Sequence, residues 1–325
     1  MKGLLRGGGI AGFVVRRLLL GVLVVLLVSV VVFAATQALP GDPARAILGR
    51  SATPESLAAL RSQLHLDRPV LSQYGSFLTG LLRGDLGISL AAQQPVSQVL
   101  GDRLANSAFL VAVAAVISIP LSLGLGVLAA LRRDRALDVG SGLVLMVLAS
   151  LPEFVVAVVL VILFATTVTQ VLPAISSIPP GGHPWDDLSG LVLPVATLTV
   201  AVTPYVARVM RASMIEVLES DYVEMARLKG LPERVVLRRH ALPNALGPTL
   251  QVIAINLAYL AGGVVVVEYV FNFPGIGSAL QDAVVSHDLP VVQALAMLIA
   301  AVYVVLNLLA DIATILVTPR LRTRL

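Results

Sequence analysis

Six stretches of this chain are predominantly apolar for twenty residues or more, at 13–38, 105–131, 139–168, 188–210, 249–269 and 290–317. A helix needs about 20 such residues to cross a hydrocarbon layer about 30 Å thick. Only 13% of the 325 residues are charged, against about 25% in soluble domains. The sequence therefore predicts an all-α integral membrane protein with six transmembrane helices. The first stretch has Arg16 and Arg17 ahead of its apolar run, as a signal peptide would. Its run is longer than the roughly 7–15 residues of a signal core, and no small-residue cleavage site follows closely. It reads as a retained span. With no cysteine in the chain, disulfides and thiolate metal sites are excluded.

Charge sets the orientation. Lys2, Arg6, Arg16 and Arg17 flank span one, and Arg132, Arg133 and Arg135 follow span two. Arg208, Arg211, Arg227, Lys229, Arg234, Arg238 and Arg239 follow span four, and Arg320, Arg322 and Arg324 close the chain. The loops 173–187 and 272–289 hold no Lys or Arg. Basic loops stay in the cytoplasm, which puts both termini and the 211–248 loop inside a cell membrane. Residues 39–104 carry six arginines yet fall outside; long translocated regions largely escape the charge rule.

That outer segment has its own helical signals. Thr53 before Pro54 and Glu55 reads as an N-cap and first turn. Leu57, Leu60 and Leu64 then share a helical face. A second helix is expected over 69–82, with Leu71, Tyr74, Leu78 and Leu81 or Leu82 as its stripe, ended by Gly84, Asp85 and Gly87. Such a cap either shields the bundle or docks a substrate-delivering protein. The expected division is 1–38 for the N-terminus and first span, 39–104 for the cap, 105–317 for a five-helix core, and 318–325 for a tail.

The stretch DYVEMARLKGLPERVVLRRHALPN, residues 221–244, is a basic and mostly helical loop between two apolar segments. Met214, Leu218, Tyr222, Met225 and Leu228 recur at helical spacing. Lys229 and Gly230 suit a helix end: a cation at the negative pole, then a residue free to take positive φ. Pro232 fits the first turn of a second short helix, which Pro243 is expected to end. The product is a helix–turn–helix elbow. Without further evidence, an ordinary basic loop held by anionic membrane lipid accounts for it equally well.

Several blocks carry a resemblance. LPGDPA at 39–44, FLTGLLRGDLGIS at 77–89, ARVMRASMIEVLESDYVEMARLKGL at 207–231, RRHALPNALGP at 238–248 and EYVFNFPGIGSAL at 268–280 resemble, in order, the B-type permease subunit of dipeptide and oligopeptide ABC importers. Glu224, Ala226 and Gly230, followed after nine residues by His240, Leu242 and Pro243, resemble that family's EAA coupling loop. The resemblance implies a non-catalytic permease that pairs with a homologous second permease. It implies two cytoplasmic ATP-binding subunits or domains, which would hold the ATP and magnesium, and an extracytoplasmic solute-binding protein. No cofactor in this chain and no nucleic acid is implied. The substrate would be a peptide, or alternatively haem, a nickel complex or glutathione. Two positions depart from the pattern. Met225 stands where a second small residue is usual, expected to loosen close packing, and Thr318 precedes Pro319 where many relatives have an acid.

Other polar residues in the spans invite a role. Glu153 follows Pro152 inside span three; it either lines a pathway, where an acid favours a cationic peptide terminus, or faces another subunit. Asn256 is a pathway candidate, although Asn256 and Asn307 read first as interhelical hydrogen-bonding residues. Asp311 lies near the end of the last span, within reach of a cytoplasmic arginine. His65, His183, His240 and His287 show no metal-ligand spacing. The glycines of PGIG at 274–277 read as a turn. No GxxxxGK[ST], HExxH or GxSxG is present, which argues against ATP binding by a P-loop and against hydrolase chemistry. An ion-driven secondary transporter would show inverted repeats and mid-membrane charges; no repeat is evident, and Glu153 alone suits such a charge.

Overall fold

A computed structural model describes residues 9–38, 44–45, 53–63, 67–179 and 181–317. Twelve helices can be named among them: α1 Gly9–Ala38, α2 Pro54–Gln63, α3 Val70–Arg83, α4 Val96–Leu131, α5 Ala136–Ser150, α6 Glu153–Val161, α7 Leu188–Leu218, α8 Asp221–Leu228, α9 Glu233–Val235, α10 Leu242–Val270, α11 Ile276–Val285 and α12 Leu289–Val317. No strand occurs among the described residues. Four helices are long and apolar enough to cross a membrane alone, and six spans result if each of two bent pairs counts as one.

The bends have local causes. Span three, expected over 139–168 with Pro152 inside it, is broken there: α5 and α6 meet at 106°. Pro152 has no N–H to continue α5 and forces the residue before it out of the helical region. Leu151 accordingly sits at φ −90°, ψ 130°. Beyond α6 the chain runs through a π-helical turn, Ile162–Thr166. The fifth span bends by 48° where Leu260 gives way to Gly262.

Helix α7 is the central post. It packs against α4, α5, α6 and α10, and 72% of its most apolar window is buried. Leu191, Leu193, Leu198, Val202 and Val206 from α7 form the main core with Leu110 and Ala114 of α4, Ala157 of α6, and Leu260 and Val264 of α10. Small residues permit this closeness. A Cβ at Gly126 would lie 2.7 Å from the Ala207 carbonyl oxygen. Two buried hydroxyls of α7 are satisfied within their own helix: Thr197 donates to the Leu193 carbonyl at 2.8 Å and Thr203 to the Thr199 carbonyl at 2.7 Å. Asn256 and Asn307 do likewise, toward Val252 and Tyr303 at 2.8 Å. They do not bridge helices, because an own-helix carbonyl four residues back is already within reach.

Helices α1 and α12 pair along the side of the bundle. Arg17 and Asp311 close this pair at 3.0 Å, the ionic role expected of Asp311. On the opposite end lies the segment between the first two spans. Thr53 caps α2 as expected: its Oγ1 accepts the Ser56 N–H at 3.2 Å, and Ser56 Oγ accepts the Thr53 N–H at 2.9 Å. Leu57 is half-buried; the side chain of Leu60 and all of Leu64 lie outside the described residues. Helix α3 sits on α1 through Tyr74 and Phe77 against Phe33. Of the expected stripe, Tyr74, Leu78 and Leu81 are half-buried, and Leu71 is the position corrected. Leu71 and Leu82 are 85% and 79% exposed, and Phe77 takes the inward place, because α3 meets α1 only along its middle turns. Gly84 at φ +76° and Gly87 at φ +81° make the turn that follows. The buried Asp288 carboxylate then accepts from Ser89 Oγ at 2.5 Å and from the Leu90 and Ala91 N–H groups at 3.0 and 3.2 Å. It ties the cap to the start of α12.

The 268–280 block folds back on itself. The fully buried Glu268 carboxylate accepts from Gly277 N–H at 2.6 Å and from the Ser107 hydroxyl. Ser107 Oγ in turn accepts Ile276 N–H at 2.8 Å, and Asn106 donates to the Pro274 carbonyl at 2.9 Å. This satisfies the orphan donors at the start of α11. The PGIG glycines do form a turn, but Gly277 continues into the first turn of α11.

Candidate functional site: the elbow between α7 and α10

Helix α7 overshoots its apolar stretch by two turns and stops at Leu218. Ser220 is extended at φ −78°, ψ 146°, and starts α8 in a new direction. The helical face expected to run from Met214 to Leu228 is therefore cut in two. Met214 lies in the bundle at 1% exposed, with Met210, Ala130, Ala241 and Ala245. On α8, Val223 and Ala226 turn inward onto Val236 and Val217. Tyr222, Met225 and Leu228 turn outward, 46%, 52% and 74% exposed. Met225 thus loosens nothing: the buried small residue is Ala226, and Met225 belongs to the outer stripe.

Gly230 ends α8 at φ +75°. Its N–H donates to the Arg227 carbonyl at 2.9 Å, and the Leu231 N–H reaches the Ala226 carbonyl at 3.4 Å. This is a Schellman cap, which needs a left-handed residue at that position. Arg227 locks the turn. Its Nε and a terminal nitrogen grip Glu233 at 3.1 and 2.8 Å. Another nitrogen points at the Leu218 carbonyl, 3.4 Å away, where a cation suits the negative end of α7. One guanidinium joins the end of α7, the end of α8 and the start of α9.

The return limb differs from expectation. Pro232 does open a short helix, but α9 passes into a π-helical turn, Val236–Ala241, and then into α10. Pro243 lies in the first turn of α10. It does not end a helix, because proline is tolerated where the N–H has no partner anyway. His240 is half-buried in the π-turn, and its carbonyl accepts from Asn244 at 2.7 Å. Leu242 is half-buried, while Glu224 and Pro243 are exposed. Of the six motif residues, Ala226 is the one fully turned into the elbow, and Gly230 shapes its tip. Glu153 lies elsewhere, beside Tyr259 and Gly263 of α10. Asn256 is 9% exposed and faces into the bundle.

The elbow is also braced from α5, which sequence reasoning missed. Asp138, buried near the start of α5, holds Arg211 of α7 through two bonds of 2.5 and 2.6 Å. Arg133, just before α5, pairs with Glu219 at the start of the elbow. Arg133 and Arg211 register in the sequence only as inward-facing positive charge. The signal was Asp138, an acid at the start of an otherwise apolar helix.

The chain has relatives among known proteins. Residues 122–323 match the family model described as binding-protein-dependent transport system inner membrane component. Residues 10–111 match the model for the N-terminal part of such membrane components. The chain belongs to this permease family. It is 39% identical over 316 residues to a probable peptide ABC transporter permease protein of Sinorhizobium fredii, covering 95% of this chain and 99% of that one. It is 37% identical to a putative peptide transport system permease protein of Brucella abortus, covering 95% and 98%. A glutathione transport system permease protein of Escherichia coli is 34% identical, covering 95% and 98%. Among solved structures, an amino acid ABC transporter chain aligns with a TM-score of 0.51 at 16% identity, covering 67% of this chain and 94% of that one; this likeness concerns the fold alone. As a permease of this family, the chain is a multi-pass membrane protein.

Proposed function

We propose that this chain is a peptide-type permease subunit of an ATP-driven, binding-protein-dependent importer, with α8 as the element that receives the movement of the ATPase. The observation that carries this reading is the braced elbow with its outward stripe of Tyr222, Met225 and Leu228. An exposed apolar stripe on a rigid support suits a protein groove better than water. The residues beside it, Glu224, Lys229 and Arg234, are exposed charges able to register a partner.

The rest of the machine follows from this reading. A homologous second permease completes the pathway, two ATP-binding subunits or domains hold ATP and magnesium, and an outer binding protein delivers substrate. The chain itself breaks no bond. Both termini and the elbow face the cytoplasm, in keeping with the basic residues there. Residues 39–104 form an outer cap, 105–317 the permease core and 318–325 an inner tail. The cap, with the sequence stripe Leu57, Leu60 and Leu64, is the dock for the binding protein. The relatives' names support peptides first; glutathione, itself a small peptide, remains within the same chemistry.

The test is uptake by the complete complex in liposomes. Peptide uptake that requires ATP and the binding protein, and persists when ion gradients are collapsed, is the expected result. Uptake driven by an imposed ion gradient without ATP would contradict the reading and favour a secondary transporter.

A further inference from the structure

Three carboxylates lie within the apolar stretches of the span helices: Asp311 and Glu268 near their ends and Glu153 at the break of span three. Asp311 has Arg17 at 3.0 Å. Glu268 is consumed by Ser107 and the Gly277 N–H. Glu153 has no cation paired with it among the described residues; one of its carboxylate oxygens and the Tyr259 ring both border Gly263 of α10. An acid in a span is costly unless it faces protein or water, so Glu153, with no cation beside it, is a place where a cationic ligand can be held.

The surroundings are built for a cation. The Pro152 break places Glu153 at the first position of α6 and aims it at α10. One carboxylate oxygen lies 2.8 Å from where a Cβ of Gly263 would stand, so the missing side chain there is what lets the acid rest against α10. Gly263 is seven residues before the end of α10 at Val270, about 10 Å at helical rise. Tyr205 of α7 adds a second phenol, held by its hydroxyl on the Ala149 carbonyl at 3.3 Å just before the break. Arg208, three residues along α7 from Tyr205, is occupied: its guanidinium lies over the Tyr205 ring at 5.6 Å and donates to the Pro204 carbonyl at 3.1 Å. Tyr259 and Tyr205 are 49% and 42% exposed from the chain. This face carries a carboxylate and two phenols, so it suits a watery pathway and not lipid.

We propose that Glu153, Tyr259 and Tyr205 form a subsite on the translocation pathway that binds the free amino terminus of the transported peptide. A primary ammonium offers three donors to the carboxylate and phenol oxygens and a positive charge to the ring faces. An acylated terminus has neither the charge nor the donors. This subsite rests on the peptide-import reading above.

The complete complex in liposomes is given a mixture of two- to five-residue peptides, with free or N-acetylated termini, and uptake is read by mass spectrometry. Wild type is expected to favour the free set. Glu153→Gln, which keeps size and hydrogen bonding, should lower the free-to-acetylated ratio about tenfold, the scale of a lost charge-assisted hydrogen bond. Glu153→Asp, which keeps the charge, should stay within about threefold of wild type. If acetylated peptides fall below detection in every variant, Gln against Asp on the free set decides: loss in Gln alone supports the subsite, and equal losses overturn it. An unchanged ratio in Glu153→Gln overturns the subsite and leaves peptide import standing. Failure of wild type to import either set overturns the peptide reading itself.

Discussion

Gly230 concentrates the elbow's backbone demand in one residue. Its φ of +75° is open only to glycine at no cost, yet no atom lies within 4 Å of where a Cβ would be. The penalty for substitution is therefore backbone strain and not collision. Gly230→Val should cost about 1–3 kcal/mol locally and distort the tip, abolishing uptake while the spans still insert. Gly230→Asn, which tolerates the left-handed region, should retain most uptake. Equal transport by both variants in liposomes would remove the cap from the account. Asp187 makes a similar contribution at the other end of α7. It accepts from Gly190 N–H at 2.9 Å, Ser177 N–H at 2.8 Å and Ser189 Oγ at 3.0 Å. The Ser177 and Gly190 amides hold its carboxyl below the ordinary value of 3.8. A lowered folded pKa means its stabilisation is complete above about pH 3.9 and is lost only as pH falls through the lower folded value. Melting of Asp187→Ala should then lie below wild type by about 1 kcal/mol from pH 5 to 8, with the gap closing only in strong acid. At this scale Lys229–Gly230 was readable, since helix ends have local chemistry. Met225 was not, because a straight helix through Ser220 puts it on the wrong face.

At the scale of elements, the spans were legible and their breaks were half so. Apolar run length locates α1, α4, α7, α10 and α12 to within a few turns. It carries no information on direction, so the 106° bend at Leu151–Pro152 needed the packing of α6 against α7 to appear. Pro243 was misread for a related reason: a proline near a helix boundary marks a start or a stop, and only the π-turn before it tells which. The fold-back at α11 rests on tertiary contacts that no local pattern reveals. A Cβ on Gly277 would stand 2.4 Å from the Cα of Val265 and 2.7 Å from its carbonyl oxygen. These are backbone atoms that cannot swing aside. Gly277→Ala should thus part α11 from α10 and break the Glu268 hydrogen bonds, giving a complex that assembles poorly or not at all. Size-exclusion recovery in detergent measures this; wild-type recovery would show that α11 is held some other way.

For the whole molecule, two surfaces matter: the cap, which the proposed reading puts outside, and the elbow, which it puts inside. The absence of cysteine makes their sidedness simple to read. Single cysteines at Ser62 and Arg234, both exposed, should react with a membrane-impermeant thiol reagent from opposite sides, Ser62 from outside. Reaction of both from one side would break the six-span arrangement. The brace from Asp138 to Arg211 and from Arg133 to Glu219 links the elbow to α5, and α5 ends at the break beside Glu153. On the proposed reading, a push on α8 would be carried along these ion pairs toward the break beside Glu153. The most direct measurement is coupled transport by the complete complex carrying Met225→Asp and Leu228→Asp. Both side chains face outward, so the permease pair should fold and insert normally. Uptake, together with ATP hydrolysis stimulated by the binding protein, should fall at least about tenfold, the scale of losing an interface anchor. Wild-type uptake with wild-type stimulated hydrolysis would contradict the account, because the elbow would then not be the point at which the ATPase acts.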